Sequence, residues 1–88
     1  MVTKRKILQK ILAGSKNIRF SDMIDLVEGF GFRFSRTDGS HHIFVHSGIP
    51  ELVNIQEVGG QAKVYQIRQF LKLVGSLAFL NRELPRNW

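Results

Sequence analysis

Cysteine is absent from these 88 residues, which removes disulfide frameworks, thiolate metal sites and cysteine nucleophiles together. Proline occurs only twice, too rarely for a polyproline stalk or a low-complexity linker. No apolar run approaches the ~18 residues that a membrane span needs. The basic start Met1-Val2-Thr3-Lys4-Arg5-Lys6 leads into neither an uninterrupted apolar stretch nor a small-residue cleavage site, so a cytoplasmic protein without membrane contact is expected. Acidic residues are also scarce: seven, against thirteen Lys and Arg, for a net charge of +6. That excess favours an anionic partner, either a nucleic acid or an acidic protein. What remains is a globular composition, 43% apolar, in a chain long enough for one core and no second.

Thr3 reads as the N-cap of a short amphipathic helix over residues 3–14. Ile7, Leu8, Ile11 and Leu12 share one face, and Gly14 offers a left-handed stop. Ser21, followed by Asp22 and Asp25, predicts the start of a second helix that carries Met23, Ile24, Val27 and Phe30 in one stripe. The period then changes from 3.6 to 2. Phe32 and Phe34 alternate with Arg33 and Ser35 as in a half-buried strand, and Asp38-Gly39 is strong hairpin chemistry. His41 to His46 reads as the return strand, Leu52 to Gln56 as a third, with Gly59-Gly60 as its break. A last helix is expected from Gln61 to Val74, capped by Gly75. Beyond it, Leu77, Phe79, Leu80 and Leu84 have the spacing of a short docking helix that Pro85 would stop, with Trp88 at the end. The order α-α-β-β-β-α implies an α+β fold: a three-stranded antiparallel sheet with helices on one face and the other face open.

All three histidines fall within six residues, at 41, 42 and 46. On a helix His42 and His46 would meet as metal ligands, but on a strand about 13 Å separates them, so neither a metal nor a cofactor is expected. An imidazole can also move protons near neutral pH, as phosphodiester cleavage requires, with Lys or Arg steadying the phosphate. The plain alternative for each ring is packing. Alternation alone does not decide, because His42 shares parity with Phe44 and His46, and His41 with Ile43 and Val45.

The segment Gly39-Ser40-His41-His42-Ile43-Phe44-Val45-His46, coming after Gly29-Phe30-Gly31-Phe32, resembles the HicA (YcfA-like) toxin family. Members are small, basic proteins with a fold like that of double-stranded-RNA-binding domains. They cleave mRNA and are neutralised by HicB antitoxins. The likeness runs from about Arg19 to Val74. It implies a single domain over 1–88 with its core at about 19–75, to which helix 3–14 and the tail 76–88 are additions. The family's catalytic histidine directly follows Gly-Ser and maps onto His41, with Gly39 and Ser40 shaping the turn that presents it. The chain departs from the family where Ser47-Gly48-Ile49 precedes Pro50, and where Gln56-Glu57-Val58 replaces a histidine after the third strand.

On this reading four cations are candidates to hold RNA phosphates. Arg33 alternates with phenylalanines and so belongs to the opposite face of the sheet, while Arg36 leads into the turn before His41. Lys63 follows Gly59-Gly60, whose backbone N–H groups near a helix start suit an anion, and Arg68 lies on the polar stripe of the last helix with Tyr65 and Lys72. Lys4, Arg5, Lys6 and Lys10 read as a solvated helix face. Phe32, Phe34 and Phe44 read as core rather than as a base-stacking platform. The expected function is that of a type II toxin, a metal-independent endoribonuclease with RNA and a HicB-like antitoxin as partners. One rival is a non-catalytic double-stranded-RNA-binding module, but its usual Gly-Pro-x-His loop is missing here. Another is a purely protein-binding domain whose basic surface receives an acidic antitoxin.

Overall fold

The computed structural model describes residues 3–76, so the expected docking helix after Leu77 lies outside the described residues. Helix α1 spans Lys4–Leu12, and the Thr3 side chain accepts the Lys6 N–H at 3.2 Å, as an N-cap should. Ile7, Leu8 and Ile11 are its buried face, and Gly14 follows at φ +90°. Helix α2 spans Phe20–Gly29 and begins one residue earlier than Ser21 suggests, with Arg19 at the N-cap position and no side-chain cap. Tertiary pairing replaces the cap. The Phe20 N–H donates to the Gly60 carbonyl at 3.0 Å, and Arg19 bridges Gln61, so the neighbouring strand fixes where the helix enters.

Strands β1 (Arg33–Asp38), β2 (His41–His46), β3 (Ile49–Val58) and β4 (Gln61–Ala62) form one antiparallel sheet in the order β1-β2-β3-β4. The sheet thus has four strands rather than three. β3 runs well past Leu52–Gln56, and Gly59-Gly60 makes the β3–β4 turn with both residues at positive φ. Helix α3 spans Val64–Ser76, so it starts three residues after Gln61 and continues through Gly75. The sequence period hid β4 because Ala62 faces the core whether residues 61–62 are helix or strand.

All three helices pack on one face of the sheet. Phe44, Val53 and Ile55 from the strands meet Met23, Leu26 and Val27 from α2 and Ile67 and Phe70 from α3. Burial of each such side chain stabilises the fold by about 1.5–3 kcal/mol. Phe30 and Phe32 stand edge-on to Phe70, with ring centroids 5.5 and 5.8 Å away. Phe32 and Phe44 are core, as expected, while Phe34 is half exposed at the sheet's rim.

Candidate active site

The register of β1 on β2 decides which side chains share His41's face. Phe34 pairs with Phe44, but the next pair is Arg36 with Ile43, so Ser35 is an extra residue, a β-bulge. Arg33 pairs with Val45. Without the bulge, residues three apart would face opposite ways. With it, Arg33 and Arg36 both stand opposite the odd-numbered residues of β2, on the face away from the helices. Asp38 stands directly across from His41 on the same face. From the other side β3 brings Gln56 opposite His41 and Asn54 opposite Ile43.

The other two histidines point into the helical side and are held there. His42 meets Phe20 edge-on at 4.7 Å, and its Nδ1 lies 3.2 Å from the Ser40 carbonyl. His46 packs against Phe32 at 5.1 Å, and its Nδ1 accepts the Gly48 N–H at 2.9 Å. A Cβ on Gly31 would come within 3.0 Å of the His46 ring, and Gly31 sits at φ +94°, so both space and backbone demand glycine there. Among the described residues no group of three or more His, Cys, Asp or Glu could hold a metal ion.

His41 is half-buried, with its Nδ1 3.1 Å from Asn54 Oδ1. An amide oxygen only accepts, so Nδ1 carries the proton and Nε2 is left as the acceptor. The preceding turn is tied down from β3, where Gln56 Nε2 donates to Ser40 Oγ at 3.1 Å. Gln56 is fixed in turn by the start of α3. Its carbonyl accepts the Lys63 N–H at 3.1 Å, and its own N–H donates to Oε1 of the buried Gln66.

The predicted cations fall in two places. Arg33, Arg36 and Lys63 are exposed. Lys63 is not in the first helical turn, as its sequence position suggests. It extends β4 opposite Gln56, and its carbonyl receives the N–H groups of Gln66 and Ile67 as α3 begins. It therefore lies two strand spacings, about 10 Å, from His41 on the same face. Gly59-Gly60 belongs to the strand turn and not to a helix N-terminus, so the anion site expected there does not form. Arg68 lies apart, on α3 beside a groove that Asn54 also lines. Asn54, Gln56 and Gln66 have no motif to mark them in the sequence. Parity across the second hairpin links Gln56 to His41, but only once the register is known.

Fold and site together define an α+β domain like the double-stranded-RNA-binding domains, with one imidazole on the open face of its sheet. A family model described as the HicA toxin of bacterial toxin–antitoxin systems matches residues 20–75, and the chain belongs to that family. It is thus a toxin with an antitoxin as counterpart. No curated protein and no solved structure matches the chain. Among the described residues no helix is long and apolar enough to cross a membrane.

Proposed function

We propose that this toxin is a cytoplasmic endoribonuclease that cleaves mRNA, with His41 as its proton-transfer group and no metal or cofactor in the reaction. The observation that carries the reading is the contact between His41 Nδ1 and Asn54 Oδ1, which leaves Nε2 free to accept a proton on an open face that carries Arg33, Arg36 and Lys63 as well as Asp38. Nε2 takes the proton of a ribose 2′-OH, and the 2′-oxygen attacks the adjacent phosphorus. The bond from phosphorus to the 5′-oxygen breaks, and that oxygen leaves with a proton from solvent. The products are a 2′,3′-cyclic phosphate and a 5′-hydroxyl.

Arg36, diagonal to His41 and about 7 Å further along the hairpin, steadies the charge that builds on the phosphate. Arg33 and Lys63 hold backbone phosphates to either side, and Arg68 holds the strand where it leaves the sheet. A HicB-like antitoxin neutralises the enzyme. The test is degradation of a defined RNA by wild type and His41→Ala in excess EDTA. Loss of general acid–base catalysis lowers the rate by about 10²–10⁴-fold. A folded His41→Ala variant that cleaves at the wild-type rate overturns the assignment. Duplex RNA bound by wild type with no strand shortened points to a non-catalytic module instead.

A further inference from the structure

The hydrogen-bonding groups of β3 are satisfied unevenly along its length. β4 pairs only with Glu57 and Val58, and the outward peptide groups of Gln56 are taken by Lys63 and Gln66. In an antiparallel strand every second residue turns its N–H and C=O the same way, so those of Asn54 point outward with Gln56, and Leu52 carries this edge on to where β3 shifts register against β2. Neither residue has a backbone partner on that side among the described residues. Natural sheets rarely leave a long edge in this state without a bulge, a charge or a cover.

A groove of about 720 Å³ separates this edge from α3. Phe70 lies along its depth, and Leu52 and Tyr65 at its rim are 55% and 63% exposed. On the helix side Arg68 and Lys72 stand over it, with Glu51 the single carboxylate at its margin among the described residues.

We propose that this groove receives an extended, acidic segment of a protein partner, which joins the sheet as a strand along Leu52 and Asn54. A nucleic acid could satisfy the two cations but offers no ladder of alternating carbonyl and N–H groups. A peptide strand satisfies both, using its backbone on β3, apolar side chains on Leu52 and Phe70, and carboxylates on Arg68 and Lys72. The inference rests on the toxin reading only where it identifies the partner with the antitoxin. Such a strand borders Asn54, which holds the His41 ring, and takes Arg68 away from RNA, so docking there opposes cleavage.

The test pans the full chain against phage-displayed twelve-residue random peptides, then uses the synthesised winners. The expected winners alternate apolar and acidic residues. They bind Leu52→Pro, which lacks one edge N–H, and Lys72→Glu at least tenfold more weakly than wild type, and they protect the Leu52 and Asn54 amides from exchange. Winners that bind Leu52→Pro as tightly as wild type overturn the proposal, as does the absence of acidic, alternating winners. Amides already protected in the free chain also overturn it, because residues 77–88 or a second copy then covers the edge. Weaker single-stranded RNA binding by both variants, without peptide winners, assigns the groove to RNA. Peptide binding with these properties in a chain that cleaves no RNA defeats the nuclease reading alone.

Discussion

Asn54 takes no proton and touches no phosphate in the proposed reaction, yet the reaction depends on which ring nitrogen of His41 carries hydrogen. With Asn54 Oδ1 at 3.1 Å from Nδ1, the base is Nε2. Asn54→Ala frees the ring to rotate and to change tautomer. The expected result is a roughly tenfold lower kcat, less than the ~10²–10⁴-fold that loss of the base itself costs, with unchanged affinity for an uncleavable 2′-deoxy substrate. Asn54→Asp separates orientation from packing. Its carboxylate stabilises the imidazolium, so a higher pH is needed to free the base, and the acidic limb of the pH–rate profile moves to higher pH. A profile that stays in place while kcat falls shows Asn54 to be merely structural. The sequence makes His41 legible because Gly39, Ser40 and His41 are consecutive and the hairpin dipeptide dates the turn. Asn54 and Gln66 are illegible there, since each acts through a partner ten or more residues away. Such partners are set by register, which composition and parity do not contain.

At the scale of elements, the bulge at Ser35 reconciles the sequence with the faces of β1. As the extra residue it changes the parity of β1 in mid-strand, so that Arg33 and Arg36 share one face although three positions apart. Deleting Ser35 removes the bulge and keeps both neighbouring pairs, because Phe34 and Arg36 then follow each other directly, opposite Phe44 and Ile43. Phe34 stays edge-on to Phe44, 5.8 Å away in the native hairpin, and Arg36 stays on the open face. The expected outcome is a folded protein whose affinity for the 2′-deoxy substrate stays near that of wild type, while Arg36→Ala weakens it. Cross-strand NMR contacts of Phe34 with Phe44 and of Arg36 with Ile43 report the register, and a deletion that costs as much as Arg36→Ala shows that the bulge itself shapes the site. Alternation reads strands correctly here and misreads the faces beyond residue 34, because an inserted residue leaves no mark in composition. The same limit applies to α3. Helical spacing runs on through Gln61 and Ala62, while the chain uses those residues to close the sheet and carries Lys63 onto the open face.

For the whole molecule, the question is whether the +6 charge acts as a diffuse field or through fixed contacts. The fold separates the two possibilities. α1 packs on the helical side through Ile7, Leu8 and Ile11 and leaves Arg5, Lys6 and Lys10 exposed there, whereas Arg33, Arg36 and Lys63 lie on the open face, with Arg68 beside it. Each phosphate held on a single strand steepens the dependence of log K on log salt by about 0.7, so four contacts give a slope near −3. Removing any one of the four by an Ala substitution should flatten the slope by about 0.7. Lys6→Ala, on the far side, should leave both the slope and the affinity close to those of wild type, because salt screens a charge that far from the strand. Titrations of the uncleavable substrate between about 50 and 200 mM salt measure this directly. If Lys6→Ala flattens the slope as much as Arg36→Ala, RNA wraps the helical side as well. The open face is then not its sole binding surface.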